Sequence, residues 1–192
     1  MAQIDASERE TAWCKPTRAA YPAHLVEQRR LPDGTAWRLR PIRAADLAMH
    51  ARFADDLSAQ THYARFLSPR KLGDAELVRM TDIDYASELA LVGTIDVAGG
   101  EREIGVARYV GMPDAAAGVA VVVADRWQRQ GVAEALLRTL IAAAAARGVR
   151  RFDDVTLHDN RPMLTLARKL GFTARRDPLD PYLIALSLPL RP

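Results

Sequence analysis

The 192-residue chain is short of the features that mark several large classes of protein. It has a single cysteine, Cys14, so no intrachain disulfide can form; this residue sits in a polar stretch without metal-ligand spacing. Residues 1–10 (MAQIDASERE) are polar and acidic where a secretory signal needs an apolar segment. The longest one-residue apolar run, Ala142–Ala146, is far too short to cross a bilayer. There is no internal repeat and no basic platform interleaved with aromatics, which argues against nucleic-acid binding. Together these absences imply a cytoplasmic protein that is independent of membranes and nucleic acids and binds no metal.

What is present is ordinary globular composition, with 49% apolar and 27% charged residues. That length accommodates one domain with a full core. We expect a flexible leader over residues 1–20 and one domain over residues 21–192. The net charge of +3 comes from arginine and fits a local basic patch facing an anionic ligand.

The periodicity changes along the chain. Thr35–Ile42 alternates as an edge strand. Ala44–Leu57 places Leu47, Phe53 and Leu57 near one helical face, a second helical stretch ends at Leu67–Pro69, and Lys71–Met80 reads as a third helix beginning near Asp74. Glu88–Ile95 and Glu103–Val110 read as strands flanking a Gly99-Gly100 turn. Val119–Ala124 (VAVVVA) is a β-branched run typical of a central strand, reached through a loop over Gly111–Gly118. A long amphipathic helix from Gly131 to about Arg147 is stopped by Gly148. Phe152–Leu157 is a further strand. Arg161–Leu170 is a helix with Pro162 in its first turn and Gly171 beyond its end. Arg175–Asp177 and Tyr182–Leu188 make a last strand pair. The order predicts a mixed α/β domain on a largely antiparallel sheet.

The chemistry concentrates at Val121–Ala133 (VVVADRWQRQGVA). A buried strand runs through a polar turn into a helix, whose first N–H groups lack internal partners and carry partial positive charge. A pyrophosphate is accommodated against Gln130, Gly131, Val132 and Ala133, because Gly131 and Ala133 are small enough to let it approach. Arg126 and Arg129 add cationic side chains. The bland alternative is a plain strand–turn–helix. The absence of Gly-Lys-Ser/Thr excludes a Walker A loop, and the element order is wrong for a Rossmann fingerprint.

Gln128-x-x-Gly131-x-Ala133 resembles the acyl-CoA pyrophosphate motif, Q/R-x-x-G-x-G/A, of the GNAT superfamily of acyl-CoA N-acyltransferases. Asn160 to Phe172 (NRPMLTLARKLGF) resembles the same family's N-x-x-A-x-x-L-Y-x-K-x-G-F segment. Tyr21-Pro22, Leu39-Arg40-Pro41-Ile42, Tyr63-x-Arg65-Phe66 and Asp84-Tyr85-x-x-Glu88 are similar to the acetyltransferase domain of bacterial Pat-type protein lysine acetyltransferases. The resemblance implies a twisted, mostly antiparallel sheet with helices on its flanks, whose central strands Val119–Ala124 and Phe152–Leu157 splay apart. It implies acetyl-CoA as cosubstrate, transfer of acetyl to a primary amine of a protein lysine or small molecule by direct attack, and monomers or homodimers. The implied CoA-binding residues are Val121, Val122, Val123, Gln128, Arg129, Gln130, Gly131, Val132, Ala133, Asn160, Met163 and Arg168. Among these, a backbone N–H near Val122 or Val123 polarises the thioester carbonyl. Asn160 serves either as an anchor for the pantetheine arm or as a helix cap.

The resemblance weakens at the chemistry. Pat-type enzymes resemble E-V-A-F at the start of the central strand, with the glutamate as base; here the sequence is Gly118-Val119-Ala120-Val121. Ala167 stands where many relatives carry a tyrosine that protonates the leaving thiolate. The replacement candidates are Asp114, His158, Glu88 and Tyr109, with Asp84, His62 and Tyr63 behind them. Each has a bland reading: turn residue, surface histidine, salt bridge or core tyrosine. The alternative to an active enzyme is a catalytically weakened acyl-CoA sensor.

Overall fold

The structure is a computed structural model that describes residues 18–191. The expected leader therefore lies, for residues 1–17, outside the described residues. Of its last three residues, which are described, Ala19 donates its N–H to the Asp84 carbonyl at 2.8 Å and Arg18 pairs with Asp82.

The strands are β1 (Glu27–Arg30), β2 (Ala36–Pro41), β3 (Glu88–Val97), β4 (Gly100–Gly111), β5 (Ala116–Val123), β6 (Arg151–Leu157), β7 (Thr173–Arg176) and β8 (Leu183–Pro189). The helices are α1 (Leu47–Asp55), α2 (Ala59–Phe66), α3 (Asp74–Thr81), α4 (Val132–Ala146) and α5 (Arg161–Leu170). One sheet contains the strands in the order β1-β2-β3-β4-β5-β6-β8-β7. Every neighbouring pair is antiparallel except β5 with β6.

Most expected elements appear within a few residues of their sequence bounds, with three informative differences. β1, sequence EQRR, has no apolar alternation to betray it; it forms because β2 offers an edge to pair with. β5 begins at Ala116, so the expected loop over 111–118 shrinks to a short 3₁₀ turn at Pro113–Ala115. In α1 the buried face is Met49, His50 and Phe53, and Leu47 is left exposed at the helix start.

β4 carries a bulge opposite Gly93 and Thr94: Gly93 pairs with Gly105 and Thr94 with Glu103, leaving Ile104 as the extra residue. An extra residue reverses which side chains face which side of the sheet. Glu103 therefore joins Val106 and Arg108 on the face covered by α1, and its carboxylate meets His50 at 3.0 Å in the buried core. Tyr109 lies on the opposite face, where its hydroxyl meets Arg147 at the end of α4. Helices thus cover both faces, and the core consists of the β3–β5 side chains pressed against α4 on one side and α1 on the other.

The β2 edge is sewn to the β3–β4 hairpin by charge. Arg40 is nearly buried and bonds Asp46 at 2.6 and 2.9 Å and Glu101 at 2.6 and 3.1 Å; Arg38 adds a 2.7 Å bond to Glu101. Although burial opposes its charge, hydrogen bonds to the two carboxylates more than compensate and hold the Arg40 proton above its ordinary range. Removing one member of such a group strands the others with poor access to water. Arg40→Met should therefore cost about 3 kcal/mol, the lower end for a buried pair because Glu101 keeps some solvent contact. Urea unfolding of the variant beside the wild type measures it.

Candidate active site

The parallel pairing of β5 and β6 is brief. Ala116, Ala117 and Gly118 match Arg151, Phe152 and Asp153, and there the pairing ends. β5 continues to Val123 on β4, and β6 continues to Leu157 on β8, so the two strands fork. Beyond the vertex, alternate peptide groups of β5 on its β6 side have no strand partner. A buried strand edge left open in this way is suited to receiving an extended polar chain.

The open end of the fork leads to the head of α4. Gly131 caps this helix in the left-handed conformation (φ 86°), and a Cβ placed there would meet nothing within 4 Å. The first backward helical bond runs from the Ala135 N–H to the Gly131 carbonyl at 3.0 Å, so the N–H groups of Val132, Ala133 and Glu134 come before any such bond. Arg129 is also left-handed (φ 59°), and Gln128, Arg129 and Gly131 are all exposed. Gln130 donates to the Arg126 carbonyl at 3.0 Å. The one acid in the first turn, Glu134, is occupied by Lys169 at 2.5 Å and Arg138 at 3.0 Å; these bonds, Lys169 first, hold its carboxyl below the usual range. This head thus offers free N–H groups, local positive charge and space. It fits an anion, and with the fork behind it fits a phosphate carrying a long polar arm.

The loop between β5 and α4 is tied to α2 by contacts that sequence reasoning missed. Asp125 accepts from the Ser58 N–H at 3.0 Å, the Ser58 hydroxyl at 2.7 Å and the Thr61 hydroxyl at 2.7 Å. Gln128 Nε2 donates to the Val123 carbonyl at 3.1 Å and to Thr61 at 3.2 Å. Ser58 also caps α2, accepting from the Thr61 N–H. Because Arg65 lies one helical turn beyond Thr61, it shares that tethered face of α2. A narrow cleft lies between the helices and the sheet, lined by Phe53, Leu57, Arg65, Phe66, Arg108 and Val122 among others.

Two arginines of this lining, Arg65 and Arg108, each interact with an acid outside it. Glu88 pairs with Arg108 at 3.0 Å across β3 and β4; burial raises the Glu88 carboxyl against the pull of Arg108 and lowers the Arg108 guanidinium against the pull of Glu88. Arg65 has fallen to about 10, first by burial and then by repulsion from Arg108, with Asp154 opposing. Asp154 is pushed up to about 7 by burial, despite the Val155 N–H donated to it at 2.8 Å and the attraction of Arg65. Sequence reasoning passed over Asp154 because a lone aspartate in a strand carries no local signal.

The remaining expected residues are placed as follows. Val122 and Val123 are buried in β5, with Val121 partly exposed. Asn160 caps α5, accepting from the Met163 N–H at 3.2 Å and donating to Thr156 at 3.0 Å; Arg168 is exposed on the same helix. Asp114 is exposed and left-handed (φ 60°) in the turn before β5. His158 is exposed beyond the end of β6, with Nδ1 3.2 Å from the Tyr182 carbonyl; at 3.2–3.4 Å per residue it lies roughly 16 Å along from the vertex. Tyr109 is sealed in the core between Phe152 and Arg147. Asp84 is consumed in a turn, accepting from Ala86, Ser87 and Glu88. His62 is buried with Nδ1 3.1 Å from the Ser68 carbonyl, and Tyr63 is exposed. Of the four catalytic candidates, only Glu88 joins the charged group beside the fork. Among the described residues, no cluster of three or more His, Cys, Asp or Glu side chains is placed to hold a metal, and no helix is long and apolar enough to cross a membrane.

The raised Asp154 carboxyl makes a stability prediction. In the unfolded chain it ionises near 3.8, and in the folded chain near 7, so the folded state keeps the proton longer. Its contribution is fully present below about pH 4 and is lost as pH rises through 7. Asp154→Asn removes the buried charge. It should raise Tm at pH 8 by roughly 4–8 °C, equivalent to about 2 kcal/mol in a domain of this size, and leave Tm almost unchanged at pH 4.5. Thermal melts at the two pH values test this.

Comparison with known proteins bears on the family of the chain. Residues 58–172 match the Acetyltransferase (GNAT) family. The chain is 33% identical over 182 residues to Acetyltransferase PA5475 of Pseudomonas aeruginosa, covering 94% of this chain and 95% of that one. It is 32% identical over 153 residues to Acetyltransferase Pat of Mycolicibacterium smegmatis, covering 79% of this chain but 45% of that longer protein. The crystal structure of the GNAT domain of S. lividans PAT superposes with a TM-score of 0.80 at 32% identity, covering 89% of this chain and all of that domain. The chain belongs to the GNAT acetyltransferase family.

Proposed function

We propose that this protein is a cytoplasmic enzyme that transfers acetyl from acetyl-CoA to a primary amine, of a protein lysine or a small molecule, by direct attack. The observation that carries this reading is the continuous path from the open cap of Gly131 into the β5–β6 fork. The free N–H groups at the head of α4, with Arg129 beside them, would hold the pyrophosphate. The unpaired β5 edge would take the amide-bearing arm, with Asn160, Met163 and Arg168 along the neighbouring helix. Acetyl-CoA supplies an acetyl thioester, whose carbonyl is the electrophile.

The chain's own groups then have two tasks. A β5 N–H near Val122 or Val123 is suited to stabilise negative charge on the carbonyl oxygen in a site shielded from water. A proton must also leave the acceptor, because a lysine amine with pKa about 10.4 is mostly protonated at neutral pH. The cleft under α2, which reaches Val122, gives an acceptor its approach. A second reading is a weakened acyl-CoA sensor. It is favoured by Gly118, which offers no side chain at the vertex, and by Ala167, which is buried and has no hydroxyl.

The wild-type protein should bind acetyl-CoA in calorimetry and release thiol with at least one member of a panel of lysine peptides and small amines. Binding without any turnover selects the sensor. Gly131→Glu should weaken acetyl-CoA binding by about 100-fold or more, by placing bulk and charge where the phosphate sits. Gly131→Ala bears the same left-handed strain, about 1–2 kcal/mol, and serves as the control for folding. Equal affinity in the Glu variant and the wild type would rule out this phosphate site.

A further inference from the structure

Acetyl transfer to an ammonium group needs a proton acceptor within reach of the point where the two strands part. At that vertex β5 contributes nothing, since Gly118 has no side chain and the nearest atom to a Cβ there is Met112 Sδ at 3.7 Å. No other residue of β5 is ionisable, nor is any residue of β8, which runs along the far side of β6. β6 contributes two acids at the vertex. Asp153, the last paired residue, is engaged by Arg151 at 2.7 Å and Ser187 at 2.8 Å. Asp154, the first residue beyond the pairing, is different.

The Asp154 side chain is partly buried, and only one of its oxygens is occupied, by the Val155 N–H. The second oxygen accepts no hydrogen bond from a described residue and is not sealed from solvent. From α2, whose ionisable residues are His62, Tyr63 and Arg65, only Arg65 acts on it, and no ion pair within 4 Å forms among the described residues. Behind Arg65 stand Arg108 and Glu88, already paired with each other. Asp154 is thus the acid at the vertex with a free, reachable oxygen and no cation bound to it.

We propose that Asp154 is the general base of this acetyltransferase, taking the proton from the acceptor ammonium at the vertex of the fork, directly or through one water. The assignment rests on the acetyl-transfer reading above. Asp154 accepts one proton from the ammonium group. The freed amine nitrogen forms its bond to the acetyl carbonyl carbon as the carbon–sulfur bond breaks. The bonding pair leaves on sulfur, which takes the surplus proton from nitrogen, and Asp154 then returns its own proton to solvent. A carboxylate that titrates near 7 is half ionised at neutral pH and matches this task better than an ordinary exposed aspartate. Arg65 is a positioning residue: its charge keeps that midpoint from rising further.

The test compares wild type, Asp154→Asn, Arg65→Gln, Glu88→Gln and the double variant Asp154→Asn/Gly118→Glu. Each is assayed from pH 5.5 to 9.5 with acetyl-CoA and either a random peptide library bearing one lysine or hydroxylamine, which is already unprotonated at neutral pH. Asp154→Asn should lower kcat/KM for the lysine library by roughly 10²–10⁴-fold at pH 7. It should erase the rise in rate centred near pH 7, and keep both acetyl-CoA affinity and hydroxylamine turnover within about threefold. Arg65→Gln should move that midpoint upward. Gly118→Glu, which places a carboxylate across the vertex, should recover at least about tenfold of the loss. If Asp154→Asn keeps the rise and the rate, or if Glu88→Gln removes the rise in its place, the assignment is wrong while acetyl transfer stands. If wild type releases thiol no faster than the enzyme-free control even with hydroxylamine, which cleaves thioesters by itself, acetyl transfer itself is wrong and the assignment falls with it.

Discussion

The rest of the site depends on the interruption of one parallel strand pair. β5 and β6 hold together for three residue pairs and then part. β5 is retained by its long antiparallel ladder with β4, and β6 by an equally regular ladder with β8, so the sheet survives the gap. An open edge inside a sheet exposes peptide groups that must find partners, and burying them unpaired would be costly. Such a fork is tolerable where an extended ligand restores the missing bonds. The same gap makes a narrow, low-dielectric vertex in which a single carboxylate is strongly perturbed.

The surrounding structure holds that fork at a defined width. On one side α4 begins at Gly131 and buries Val132, Leu136, Leu137 and Leu140 against the sheet. On the other, α2 is fastened to the β5–α4 loop through Asp125, which Ser58 and Thr61 both address. Those donors hold the Asp125 carboxyl low in spite of its partial burial, so it remains a charged clamp through the neutral range. The clamp fixes the face of α2 that carries Arg65. The bulge in β4 is a further part of this arrangement, since it brings Glu103 to the α1 face, where His50 meets it, while Arg108 keeps its place beside Glu88.

Similarity to longer Pat proteins has a structural boundary. This chain covers nearly all of Acetyltransferase PA5475 and of the S. lividans domain, but about half of the mycobacterial relatives.

Features governed by neighbours in the chain were legible without a structure. Gly131 starts a helix, Gly148 and Gly171 end helices, and the β-branched run after Gly118 is a central strand, because caps, turns and side-chain period are local. The pattern over Gln128–Ala133, proposed to bind phosphate, is equally local, and so was readable as a motif. β1 was not legible, because a four-residue polar edge strand owes its existence to its partner. Nor was the Asp125–Ser58–Thr61 clamp, whose members are 64–67 residues apart. His158 looked close to the chemistry because it ends the right strand, but a strand separates its ends in proportion to its length. Asp154 is the clearest case of what tertiary structure alone decided. Its sequence context is an aspartate beside another aspartate; its proton affinity is raised by burial and held back by Arg65 on a distant helix, beside a partner strand that has already turned away.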